Sequence, residues 1–164
     1  MAGLEDLYRE IIIDHYRSPR HRGELETPPA TRTEGFNPLC GDEIVVYLQL
    51  GDGEGDDRVI EDIRIGGQGC SISQSSASMM SSAVMGKSIG EAHEIMRAFK
   101  AMMSIHENSL ADSDDEPTLD DVTELKLGDL EAMRGVVKFP VRIKCATLSW
   151  NTLDQGIAEA TGQA

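Results

Sequence analysis

The sequence is short of almost everything that would announce a common function. It has three cysteines and no CxxC pair in 164 residues. So small and odd a number is not a disulfide framework, so each thiol is either buried or chemically employed. Basic residues are scarce, 15 Lys and Arg against 29 Asp and Glu, for a formal net charge of −14. Nucleic acid and anionic membranes are therefore poor partners, because phosphate recognition needs clustered cations. No apolar run approaches membrane-spanning length; the triplet Ile11, Ile12 and Ile13 is short and flanked by charges. Nothing at the N-terminus reads as a signal peptide. The expectation is a cytoplasmic protein, and residues 1–164 suit a single domain with its own core.

The charge is unevenly spread. Acids concentrate between Asp52 and Asp62 and again between Glu107 and Glu124, where there is no Lys or Arg. Both runs read as solvated loops, and the second, with Pro117 inside it, as a long exposed one at about 107–124. The bases gather at Arg17, Arg20 and Arg22, and at Lys138, Arg142 and Lys144.

Periodicity supplies the elements. Leu4, Leu7, Tyr8, Ile11, Ile12 and His15 share a helical face, and Ser18-Pro19 ends that helix. Ile44–Leu50 and Val59–Ile65 read as strands joined by a Gly/Asp turn, hence an antiparallel hairpin. A hairpin alone is marginal, so a third strand is expected from Thr33–Asn37 or from residues near Ser71. Gly66-Gly67-Gln68-Gly69 leads to Cys70, and Ser71–Met85 follows as a small-residue helix broken at Gly86-Lys87. Ser88 and Glu91 form a capping-box pattern opening an amphipathic helix through Met103. Its methionines read as core filler. A short helix is expected over Leu127–Arg134, ending at Gly135. Pro140 then suits the first turn of a last helix, with Val141, Cys145, Leu148 and Thr152 on one face.

Four residues stand out chemically. Cys40-Gly41-Asp42 lets a thiolate and a carboxylate bend toward one point, because glycine tolerates positive φ. Cys70 begins a helix, where free N–H groups favour the thiolate. Cys145 has Arg142 one helical turn before it. Taken singly, each could be an ordinary buried cysteine. Together, three thiolates and a carboxylate would complete a four-coordinate zinc site of net charge about −2, which Arg142 and Lys144 could offset. Spacing alone does not decide this, since the cysteines lie far apart in the chain. His15 and His93 sit on or beside apolar faces and read as packed side chains; His106 ends a helix.

At these cysteines the chain resembles the U-type iron–sulfur assembly proteins, and within them the SufU-type branch. The matching stretches are Asp14-His15-Tyr16 through Ser18-Pro19-Arg20, Asn37-Pro38-Leu39-Cys40-Gly41-Asp42, Gly67-Gln68-Gly69-Cys70-Ser71-Ile72-Ser73 and Arg142-Ile143-Lys144-Cys145-Ala146-Thr147-Leu148. The resemblance implies an α+β fold, a small antiparallel sheet with helices on one side. It implies metal-ligand roles for Cys40, Asp42, Cys70 and Cys145, with Cys40 as sulfur acceptor and Arg142 assisting. It further implies zinc, or alternatively a transient [2Fe–2S] cluster. The implied partners are a PLP-dependent cysteine desulfurase of the SufS type and the SufBCD complex. Scaffolds of the IscU type carry histidine immediately before the third cysteine; here it is Lys144. The segment between Cys70 and Cys145 is also longer than theirs. Both departures point to zinc-dependent sulfur transfer.

Overall fold

The computed structural model describes residues 4–27, 29–38, 41–53, 55–108 and 128–162. Cys40 and most of the acidic run expected as a loop at 107–124 lie outside them. The chain begins with helix α1 (Leu4–Arg17), and Ser18 N–H closes it onto Asp14 O. Three antiparallel strands follow, β1 (Thr31–Asn37), β2 (Asp42–Leu50) and β3 (Ile60–Gln68), in the order β1-β2-β3. Helices α2 (Ser71–Val84), α3 (Ile89–Asn108) and α4 (Pro140–Thr161) come next. A 3₁₀ segment, Gly128–Lys138, precedes α4.

This is the expected arrangement of a three-stranded sheet with helices on one side. In β2 the alternation Ile44, Val46, Leu48 points a β-branched and aliphatic row into the core. α2 and α4 pack on that face, and Met79, Met80, Phe99, Met102 and Trp150 fill the space behind. The contact between α4 and β1 is close. A Cβ on Gly35 would strike the Thr152 hydroxyl, and one on Gly156 would lie 3.1 Å from Thr33 Oγ1. Two glycines thus let helix and strand approach, which sets the depth at which α4 carries Cys145.

Of the two segments expected to supply the third strand, it is the first, within Thr31–Asn37, because residues from Ser71 onward are helical. Three expectations change. The strand expected over Val59–Ile65 runs on through Gly66-Gly67-Gln68 as the end of β3, paired through Glu43↔Gln68. Gly67 holds φ +106° there, with Glu43 O where a side chain would go. The short helix expected over Leu127–Arg134 is, in the described residues, a 3₁₀ helix over Gly128–Lys138 that runs past Gly135. Its apolar residues Leu130, Met133 and Val136 recur every three positions and are all buried, which suits three residues per turn. Leu7 and Val141 lie on the solvent side of their helices instead of the shared apolar faces, Val141 being 67% exposed.

The serine-rich α2 serves as a hydrogen-bonding rail. Ser88 Oγ caps α3 by accepting the Glu91 N–H at 3.1 Å. Within α2, Ser78 Oγ lies 2.8 Å from His15 Nδ1 and accepts the Arg20 N–H at 2.8 Å. His15 Nε2 lies 2.8 Å from Asp129 Oδ2. His15 is 2% exposed, so it is a packed histidine tying α1 to α2 and to the 3₁₀ segment.

One turn further, Ser81 Oγ meets His21 Nδ1 at 3.0 Å. Burial holds the His21 imidazole below its ordinary range near 6.5, and the Arg64 guanidinium acts the same way against the opposing pull of Asp62. A histidine kept neutral by the fold stabilises it fully above its unfolded pKa. That contribution is lost as pH falls through the folded value, because the unfolded chain takes up the proton more readily. The thermal midpoint is therefore expected to fall on acidification from about pH 7 to about pH 5 more steeply in the natural protein than in His21→Gln. Identical slopes in a differential scanning experiment would contradict this.

Candidate metal centre

Three of the four residues singled out in the sequence meet at one end of the sheet. Asp42 is the first residue of β2, and the pair Glu43↔Gln68 closes β2 against the end of β3. That register leaves Asp42 facing the turn Gly69-Cys70 directly beyond β3. Cys70 is the N-cap of α2, with extended backbone at φ −69° and ψ 166°. Cys145 comes from the second turn of α4, which packs against both α2 and β2.

One carboxylate oxygen of Asp42 and the Sγ atoms of Cys70 and Cys145 all lie within 4.8 Å of one another. Tetrahedral zinc with bonds of 2.3 Å to sulfur separates its donors by about 3.8 Å. The three donors thus converge to near the spacing a single ion requires. Asp42 and Cys145 are fully buried and Cys70 is half-buried. A buried carboxylate beside two thiols is a costly arrangement without a cation, and the soft sulfur donors suit zinc or iron rather than magnesium or calcium. The residues present therefore form a donor set able to hold a metal ion.

The hydrogen bonds around the donors are specific. Asp42 Oδ1 accepts the Cys70 N–H at 2.8 Å, while Oδ2 lies 3.9 Å from Cys70 Sγ. Cys70 Sγ accepts the Ser73 N–H at 3.5 Å, so the thiol itself caps α2. Ser73 Oγ donates to Cys70 O at 3.1 Å. The helix N-terminus favours negative charge on both groups. Gly41 holds φ +70°, the conformation expected of the glycine between Cys40 and Asp42.

Arg142 and Lys144 are exposed at the start of α4. Arg142 also borders a groove of about 510 Å³, together with Tyr8, Ile12, Ile72, Val136 and Phe139. Because Ser71 and Ile72 line it too, the groove adjoins the cysteine cluster. Sequence reasoning missed the groove and the role of Ser73. Only the spacing Gly69-Cys70-x-x-Ser73, a cap pattern with sulfur in place of oxygen, hinted at the latter.

The NifU-like N-terminal domain matches residues 7–114. The zinc-dependent sulfurtransferase SufU of Bacillus subtilis is 43% identical over 161 residues, 98% of this chain and 96% of that protein. The iron–sulfur cluster assembly scaffold protein IscU of Streptococcus pyogenes is 38% identical, over 96% of this chain and 86% of its own length. A crystal structure from Fervidobacterium islandicum AW-1, described as a scaffold protein for the SUF system, superposes with a TM-score of 0.69 at 32% identity, covering 93% of this chain and 98% of that one. With this match over most of its length and a cysteine–carboxylate cluster at the end of its sheet, the chain belongs to the NifU-like N-terminal domain family of iron–sulfur cluster assembly proteins.

Proposed function

We propose that this protein is a zinc-dependent sulfurtransferase that accepts persulfide sulfur from a SufS-type cysteine desulfurase for iron–sulfur cluster assembly. The observation that carries the reading is the convergence of Asp42, Cys70 and Cys145 within 4.8 Å. Its context is 43% identity to a zinc-dependent sulfurtransferase over 98% of the chain. In this reading Cys40, Asp42, Cys70 and Cys145 hold the zinc. Bound there, the ion would keep its thiols deprotonated near neutral pH.

The chemistry asked of the chain is thiol–disulfide exchange. The Cys40 thiolate attacks the outer sulfur of a persulfide on the desulfurase. A bond forms between Cys40 Sγ and that sulfur, the S–S bond to the partner's cysteine breaks, and that cysteine leaves as thiolate. No oxidant is consumed, and Cys40 carries the persulfide onward, with the SufBCD complex as the fitting recipient. Asp42, Cys70 and Cys145 keep the remainder of the site assembled. In this reading Arg142, exposed one turn before Cys145 on α4, would offset part of the site's negative charge.

Cys40→Ser should fold normally yet fail to raise the turnover of a SufS-type desulfurase, measured as sulfide or alanine release. Stimulation equal to that by the natural protein would remove Cys40 from the acceptor role.

The 38% identity to a cluster scaffold supports a second reading, in which the same four residues hold a [2Fe–2S] cluster as cargo. Anaerobic reconstitution with iron and sulfide separates the two. A stable cluster that passes intact to an apo-ferredoxin, with no stimulation of the desulfurase, would favour the scaffold.

A further inference from the structure

We infer that Gly69 is a positioning residue that makes Asp42 a one-oxygen ligand whose aim is set before any metal arrives. The inference rests on the zinc reading above and extends it to a residue that binds nothing itself.

The Asp42 carboxylate is divided between two tasks. Oδ1 is occupied by the Cys70 backbone N–H at 2.8 Å. Oδ2 faces the sulfur side, 3.9 Å from Cys70 Sγ. With Oδ1 held by a backbone amide, the oxygen left without that partner is Oδ2, so Asp42 is poised for monodentate binding through Oδ2. Such outer hydrogen bonds fix ligand orientation, and their loss typically costs about 10- to 100-fold in metal affinity.

What allows the amide to come so close is the missing side chain at position 69. A Cβ there would fall on Asp42 Oδ1, would lie 3.0 Å from Asp42 Cγ and would sit 2.7 Å from Ser73 Oγ. No positive φ requires glycine at this position, unlike Gly41 and Gly67. Space beside the carboxylate is therefore the reason for glycine here. The neighbours offer little relief. Asp42 and Ser73 are both fully buried, and Ser73 Oγ is engaged with Cys70 O. An added methyl would turn the carboxylate away from the amide and displace Oδ2 from its place 3.9 Å from Cys70 Sγ.

The test is a double-mutant cycle on zinc affinity, measured by competition with a chromophoric chelator. Cobalt(II) substitution serves as an independent readout of the ligand shell. Gly69→Ala should weaken zinc by about 10-fold or more and shift the cobalt d–d bands while leaving the helical circular dichroism unchanged. Asp42→Ala should weaken zinc as well. The double variant should bind as Asp42→Ala alone, because a methyl at 69 has nothing left to displace. Losses that multiply would overturn the inference, as would a Gly69→Ala protein with natural affinity and cobalt spectrum.

Adding Ser73→Ala to Gly69→Ala removes the other crowded neighbour. Continued weak binding supports the role of Asp42, whereas full recovery would show that only Ser73 packing mattered and would overturn it. If Gly69→Ala fails to fold, the Asp42→Ala double variant should fold, and its failure to do so would also count against the proposal. Absence of zinc binding by the natural protein would sink the zinc reading itself, which is a separate outcome.

Discussion

Cys145→Ser is expected to lower zinc affinity by at least about 100-fold and to abolish stimulation of the desulfurase. The effect should exceed the 10- to 100-fold typical of outer hydrogen-bonding partners, because a ligand itself is lost. Cys145 is fully buried on α4 and its Sγ belongs to the cluster with Asp42 and Cys70. Serine nearly preserves the volume, so the surrounding core should hold. It does not supply a thiolate at neutral pH, and its shorter reach draws the donor back from the ion. The remaining set would have two sulfurs and an oxygen, fewer soft donors for a metal that favours them. Chelator competition measures the affinity and sulfide release the activity. Unaltered zinc affinity would place Cys145 outside the ligand set and make it a packed core cysteine.

Trp150→Ala should cost about 3–5 kcal/mol of folding stability, the largest loss expected from any single core truncation here. Trp150 is fully buried and stacks on Phe99 with ring centroids 4.9 Å apart and planes 21° from parallel. It lies on α4 five residues after Cys145, so the same packing seats the helix that delivers the sulfur. Its Nε1 has no hydrogen-bond partner among the described residues. Trp150→Phe therefore forfeits volume but no hydrogen bond, and should cost much less than alanine. Urea unfolding with unchanged m-value reads both numbers. A loss under about 1 kcal/mol for alanine would mean that the α3–α4 contact does not anchor the core.

Much of the fold was legible because local chemistry and tertiary structure agree. Ser18-Pro19 ends α1, the Ser88 cap opens α3, and Pro140 stands in the first turn of α4. The β-branched alternation of Ile44, Val46 and Leu48 marked β2 with its buried face. Where reading failed, a partner elsewhere in the chain decided the outcome. Gly66 and Gly67 have low strand propensity, yet Val45 and Ile44 pair with them across the sheet. The 3₁₀ segment kept an apolar pattern compatible with a short α-helix until its every-third-residue burial was visible. Val141 belongs to an apolar stripe on paper but lies exposed in the first turn of α4.

The site was legible as a set of residue types and not as geometry. The spacing of Asp42, Cys70 and Cys145 carries no hint that strand register and the close approach of α4 bring their donors together. Nor could sequence foresee that Asp42 Oδ1 belongs to the Cys70 amide. Such a bond depends on two chain segments 28 residues apart meeting within hydrogen-bond reach.

The most direct measurement is zinc K-edge X-ray absorption on the freshly purified protein. The expected first shell has about three sulfur scatterers near 2.3 Å and about one oxygen near 2.0 Å. A shell built from nitrogen and oxygen alone would show that the ion sits elsewhere, and the meeting of thiolates and carboxylate would then have nothing to do with zinc.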